Sequence, residues 1–247
     1  MNPEGYRQHF ELEENFWWFL GRRKAIQSLL ASIPNGKETP NEKRFSILDV
    51  GCGTGGMFRL LESFGTVWGF DLSQEALRYC QKRNQTGRLI QGSALSLPFS
   101  ENQFDIVLAC DLLSHGWIDD DIKALEELAR VCKKDGFLLL TDSAFDCLKG
   151  AHDRFLHGVR RYTIQAMKPR IEKSGFSIVR ISYMNMSLFP VIYLWRKLRL
   201  HQNGSDLKAI SPPLNRCLTW LFMSEAHLLK YYNLPFGSSI ICLAKKP

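Results

Sequence analysis

The sequence predicts an α/β fold, a mostly parallel seven-stranded sheet flanked by helices, and three observations carry that reading. Short apolar runs alternate with amphipathic, helix-length stretches from residue 45 onward. The run Phe45–Val50 stops at a glycine-dense turn, Gly51-Cys52-Gly53-Thr54-Gly55-Gly56, after which helical apolar spacing resumes over Met57–Phe64. The run Phe104–Cys110 is almost continuously apolar, as suits a strand covered on both faces.

The elements follow in order. Residues 1–44 form an N-terminal helical lid and linker: positions 16, 19, 20, 26, 29 and 30 are apolar at helical spacing, and Pro34, Gly36 and Pro40 end the helix before a polar linker. The core spans 45–183. Its strands are Phe45–Val50, Val67–Phe70, Leu89–Gln91, Phe104–Cys110, Phe137–Thr141 and Phe176–Tyr183. Ser73 caps a helix beginning at Gln74, Thr163 caps one over Ile164–Lys173, and Asp119, Asp120 and Asp121 sit where a helix N-terminus favours negative charge. Residues 184–237 are a helical insertion, and 238–247 return to the sheet as the last strand, Ser239–Ala244.

At 247 residues, with 45% hydrophobic and 23% charged residues, the chain is large enough for one domain with a real core. Its seven cysteines show no C-x-x-C spacing, so neither a zinc site nor a disulfide framework is expected, and no metal is assigned. The N-terminal residues are polar and acidic without the apolar segment of an export signal, which places the chain in the cytoplasm. The apolar stretches of 184–237 are shorter than the roughly 20 residues needed to span a bilayer. Two readings of that insertion stand. It roofs the active site or forms a homodimer interface, or its aromatic and basic character sets it peripherally against a membrane or a lipid-like acceptor.

The glycine turn gives the chemistry. Glycine admits backbone conformations that side chains forbid and lets a ligand lie against main-chain N–H groups at a helix start. The overlapping GxGxxG and GxGxG spacings do not by themselves separate a dinucleotide from another adenosine ligand. Asp71, twenty residues after Gly51 at the end of the second strand, supplies an acid for two ribose hydroxyls.

With "LDVGCGTGG", "GFDLS" and "QGSALSLPFSENQFDIVLACDLLSH" in this order and spacing, the chain resembles the class I S-adenosylmethionine-dependent methyltransferases, whose fold is Rossmann-like. The resemblance implies the cofactor S-adenosyl-L-methionine, with S-adenosyl-L-homocysteine as product. It places Asp49, Gly51, Cys52, Gly53, Thr54 and Gly55 around the methionine part, Asp71 and Leu72 at the ribose, Ser93 and Ala94 beside the adenine, and Asp111 at the edge of the fourth strand. Many relatives carry Asp where this chain has Ser93. A segment, "DSAFDCLKGAHDRFLHGVRRYT", resembles a subgroup found in small-molecule, lipid and polysaccharide pathways.

The acceptor side is read as follows. His115, just past the fourth strand, is the first candidate for a general base and His152 the second; His115 is also readable as a structural histidine, and the stretch around His152 as a solvated basic loop. Trp17, Trp18, Arg161 and Tyr162, with the two histidines, are candidates for holding the acceptor. The expected reaction is in-line transfer of a methyl group to an oxygen of a small molecule. Alternatives are a non-catalytic cofactor-binding subunit or sensor, an NAD-linked reductase, and an RNA or lipid methyltransferase. The net charge of +7 favours anionic partners, but nucleic acid is not expected: the Asn/Asp-Pro-Pro-aromatic sequence of base-amine methyltransferases is replaced here by Cys110-Asp111-Leu112-Leu113-Ser114.

Overall fold

The structure, a computed structural model, describes residues 3–34, 45–83, 88–198 and 210–247. The expected linker through Gly36 and Pro40, and the polar loop inside the insertion, lie outside those residues. Among them run α1 (Pro3–Leu12), α2 (Trp17–Leu30), β1 (Phe45–Val50), α3 (Phe58–Leu61), β2 (Gly65–Asp71), α4 (Gln74–Lys82), β3 (Leu89–Gln91) and β4 (Phe104–Cys110). There follow α5 (Asp121–Val131), β5 (Cys132–Ser143), a short 3-10 turn (Asp146–Leu148), α6 (Ala151–Phe155), α7 (Ile164–Lys173), β6 (Ser177–Met184), α8 (Phe189–Leu198), α9 (Pro212–Leu228) and β7 (Ser239–Lys245).

The sheet order is β3-β2-β1-β4-β5-β7-β6. β1 through β5 pair in parallel, and β7 runs antiparallel between β5 and β6. The expected α/β sheet of seven strands is therefore borne out. The antiparallel strand slotted between β5 and β6 separates it from the six-stranded dinucleotide order. The inner strands read as apolar runs because both faces are covered: Ile47, Leu48, Ile106, Val107, Leu138 and Leu139 are all fully buried, each worth about 1.5–3 kcal/mol in apolar transfer. The strand order reverses between β1 and β4, and Gly51, Asp71 and Asp111 emerge along that one sheet edge.

Caps follow the sequence. Ser73 Oγ accepts from the Ala76 N–H at 3.3 Å, Asp120 from Lys123 at 2.9 Å, and Thr163 from Ala166 at 3.2 Å. Two elements differ from expectation. The helix expected over Met57–Phe64 is only the single turn α3. The acidic N-terminus adds a helix ahead of the expected lid helix, α1, which packs on α4 through Phe10 and Tyr79, rings 5.0 Å apart.

The insertion's α9 packs along α2. Gly21 permits this, since a Cβ there would stand 2.0 Å from the Phe222 ring, which is fully buried. The lid helix is thus clamped between α9 on one side and the sheet edge on the other.

Candidate active site

A cleft enclosing about 970 Å³, open solvent included, lies over the carboxyl edge of β1, β2 and β4. The glycine turn forms its floor. Gly51 and Gly53 take φ of +75° and +57°, and a Cβ on Gly53 would point into empty space, the room a ligand's backbone-hugging portion needs. Asp71 orders this turn: its Oδ2 accepts from the Gly53 N–H at 2.9 Å and its Oδ1 from the Ser73 N–H at 2.8 Å. Each oxygen keeps a second lone pair for a ribose hydroxyl. Burial holds this carboxyl above its ordinary pKa.

Asp49, last but one in β1, is 1% exposed, and its Oδ2 has no hydrogen-bond partner. Burial pushes its pKa up to about 7, against the opposing pull of the Arg22 charge. A buried carboxyl with an unfilled lone pair is a receptor for a cation. Glu13 flanks the turn from the other side; it is buried, accepts from the Thr54 hydroxyl and from Arg83 Nη2 at 2.8 Å, and is likewise raised by burial.

The lid supplies the roof. Tyr6 and His9 from α1, Glu13 from the following turn and Arg22 from α2 all line the cleft. Arg23 donates to the Gly56 carbonyl at 2.8 Å and the Glu13 carbonyl at 2.6 Å, and Arg83 donates to the Thr54 and Phe10 carbonyls at 3.0 and 2.9 Å, tying lid to turn. Arg22 pairs with Asp111, a residue held at φ 53°, uncommon for a side chain other than glycine. His9 lies edge-on to Phe19, its Nε2 without a partner; burial first, then the Arg22 charge and the neighbouring His152 and His115, bring its pKa down to about 3.

His115 lies on the cleft wall, stacked on Trp117 with ring centroids 4.9 Å apart and its Nδ1 buried without a partner. Burial lowers its pKa to about 4, so the ring is neutral at ordinary pH.

Asp49, Gly51, Cys52, Gly53, Thr54, Asp71, Leu72, Ser93, Ala94, Asp111 and His115 are brought together on this one cleft. The Ser93 hydroxyl accepts from the Leu95 N–H at 3.3 Å. Other expected positions lie elsewhere. Gly55 is turned away: its Cβ direction meets Phe58 and the Cys80 sulfur at 3.1 and 3.2 Å, so it shapes the turn from behind. Trp17 and Trp18 pack on Phe222, centroids 6.2 and 5.5 Å away, because α9 covers their side of α2. Arg161 is buried against Asp153 at 2.8 Å, and the Tyr162 hydroxyl, also buried, donates to Asp121 at 2.9 Å. His152, in α6, is half-buried and outside the cleft lining. Among the described residues no cluster of potential metal ligands occurs.

Tyr6, His9, Glu13 and Arg22 are not singled out by sequence. A signal is present for three of them: positions 6, 9 and 13 fall at i, i+3 and i+7, one stripe of a helix.

Residues 48–140 match the family model described as a methyltransferase domain. Over that stretch the chain is similar to a methyltransferase domain. Relatives of that domain include a malonyl-[acyl-carrier protein] O-methyltransferase of Enterobacter lignolyticus, 30% identical over 58% of this chain and 51% of that protein. Another is a fatty-acid O-methyltransferase of Mycolicibacterium smegmatis, 37% identical over 39% of this chain and 36% of its own length. The chain thus spans about half or less of these relatives. An S-adenosylmethionine-dependent methyltransferase of Thermotoga maritima superposes with a TM-score of 0.62 at 16% identity, covering 99% of this chain and 96% of that one, a likeness of fold. The resemblance read from "LDVGCGTGG" is borne out for the domain, its Rossmann-like fold and the cofactor class that methyltransferase domains of this kind take.

The cleft of the methyltransferase domain suits that cofactor. Its lining holds four carboxyls, on Glu13, Asp49, Asp71 and Asp111, against the single guanidinium of Arg22. S-adenosylmethionine brings an ammonium and a sulfonium to such a site. A dinucleotide would bring a doubly negative pyrophosphate to a lining with this excess of carboxyls, which like-charge repulsion opposes.

Proposed function

We propose that this protein transfers the methyl group of S-adenosylmethionine to an oxygen of a small-molecule acceptor bound between the glycine turn and the lid. The observation that carries the reading is Asp49, a buried carboxyl with an unfilled lone pair beside a glycine turn that leaves room for a ligand. Asp49 and Glu13 would hold the cofactor's ammonium end, Asp71 its ribose, and Ser93 and Ala94 would border its adenine. When bound, the cofactor supplies an activated methyl on a good leaving group. The chain's own contribution is then alignment and exclusion of water, worth on the order of 7–11 kcal/mol in favourable cases. Arg22, His9 and Trp117 close the cleft above the reacting end. Two relatives are named as O-methyltransferases, which supports oxygen as the acceptor atom.

His115 would take or orient the acceptor's proton. Held near pKa 4 by burial, it is unprotonated throughout the neutral range, so turnover should show no inflection near pH 6.5 on its account. His115→Ala is expected to lower kcat by about 100-fold, the lower end of general-base effects, with S-adenosylhomocysteine affinity unchanged. A fully active variant would remove it from the mechanism. The cofactor assignment is tested by calorimetric titration with S-adenosylhomocysteine and with NADH. Selective binding of the first is expected. Binding without turnover on any oxygen acceptor would favour the sensor reading.

A further inference from the structure

The insertion between β6 and β7 presents an apolar stripe to solvent. On α8, Val191, Leu194, Trp195 and Leu198 fall at the i, i+3, i+4, i+7 spacing of one helix face, and are 62%, 59%, 47% and 86% exposed. No residue of this helix is buried. Its inward side holds Phe189, whose ring lies 5.7 Å from Phe145 and 5.5 Å from Phe236, and Arg196, which donates to the Leu148 carbonyl at 2.5 Å and lies 3.8 Å from Asp153. On α9, Phe222 and Ala226 face α2, while Trp220 and Leu228, and Tyr231 just beyond the helix, face out. Among the described residues no helix is long and apolar enough to cross a membrane.

The charges around this surface say what it meets. Among the described residues from 187 to 236, Glu225 is the one carboxylate, and it is buried, accepting from the Ser187 backbone N–H and hydroxyl at 2.9 Å each. Lys197, Arg216 and Lys230 are exposed. The described outward faces of α8 and α9 are therefore apolar, aromatic and cationic, with no exposed acid of their own. A second copy meeting it face to face would set like charges together, on a chain already carrying +7. An anionic bilayer satisfies both halves: acyl chains take the leucines and valine, the interfacial layer suits Trp and Tyr, and lipid phosphates meet the cations.

We propose that the outward faces of α8 and α9 form a peripheral docking surface for an anionic membrane. It is attached to the lid: α9 holds Phe222 against Gly21, next to the Arg22 that roofs the cleft. The proposal stands independently of the methyl-transfer reading.

The test is vesicle flotation of the full chain, with phosphatidylcholine alone and with phosphatidylcholine mixed with phosphatidylglycerol. Three exposed cations at roughly fivefold each predict partition about 100-fold stronger onto the anionic vesicles, falling steeply between about 0.1 M and about 1 M salt as the screening length shrinks from about 10 to 3 Å. The double substitution Leu194→Glu/Leu198→Glu, and separately Trp220→Glu, should each abolish flotation while melting temperature and S-adenosylhomocysteine binding stay as in the parent. Absence of flotation by the parent, equal partition onto neutral vesicles, or variants that float as well as the parent would each overturn the proposal. So would a parent dimer that these substitutions convert to monomer, since a second copy would then cover the surface.

Discussion

Asp49→Asn should make the cofactor-free protein more stable at pH 8 and nearly abolish cofactor binding. The two effects share a cause. The folded-state pKa of Asp49 is about 7 against an ordinary 3.8, so ionising it in the folded chain costs free energy that the unfolded chain does not bear. Below pH 3.8 both states hold the proton and there is no cost. As pH rises toward 7 the cost grows, reaching about 4 kcal/mol, since each tenfold difference in proton affinity between the two states is worth about 1.4 kcal/mol. Asn removes it but leaves amide donors unpaired, at about 1–3 kcal/mol. The net gain is about 1–3 kcal/mol at pH 8, several degrees in melting temperature, and none at pH 5. Asp142 is also raised to about 7 while accepting from the Leu113, Ser114 and Ser143 N–H groups, so part of the parent's pH dependence persists in the variant. The lost ion pair with the cofactor's ammonium should weaken S-adenosylhomocysteine binding about 10²–10⁴-fold, from about 3–5 kcal/mol for breaking a buried pair. In the parent, affinity should rise with pH up to about 7 and then level off. Melting curves at pH 5 and 8 with calorimetric titrations check both; unchanged affinity in the variant would place the ammonium elsewhere.

What the sequence reveals of this site is its locally encoded part. The strand, the glycine turn and Asp71 are legible because a short stretch fixes them: φ values only glycine takes readily, a strand of period two, an acid at a strand end. The helix caps at Ser73, Asp120 and Thr163 are legible for the same reason. The roof is not. Arg22 and Asp111 meet across 89 positions of sequence, and no periodicity encodes that pairing. The aromatic run at Trp17 and Trp18 draws attention as an acceptor contact, yet its partner is decided by Gly21, a bare patch of helix that Phe222 of a distant element fills. Apart from Arg22, the residues that reach the cleft from the lid are polar ones on or just after the preceding helix, and that helix is marked only by a weak stripe among acidic residues.

The stretch from His152 to Tyr162 shows the same limit in a form that experiment can decide. By composition it is a basic loop suited to an anionic acceptor, but Asp153, Arg160 and Arg161 are already answered inside the fold. Asp153, 7% exposed, accepts from the Gly150 N–H and from Arg161 Nε, both at 2.8 Å, with Arg196 at 3.8 Å. Arg161 also donates to the Ala144 carbonyl at 2.8 Å. Asp153→Ala would leave two guanidinium groups facing each other in a buried pocket, at a cost of about 3–5 kcal/mol. The melting temperature should fall by roughly 6–20 °C at 2–4 °C per kcal/mol. S-adenosylhomocysteine affinity, measured well below that melting point, should be unchanged, since Asp153 is absent from the cleft wall. Asp153→Asn, which can still accept from the Gly150 N–H, should lose less. An acceptor-binding role predicts the reverse pattern: a lowered kcat/KM in a variant that melts like its parent. Because Arg196 is the inward charge of α8, the alanine variant should also loosen that helix. The pair that holds this segment together then holds the insertion's outer helix in place as well.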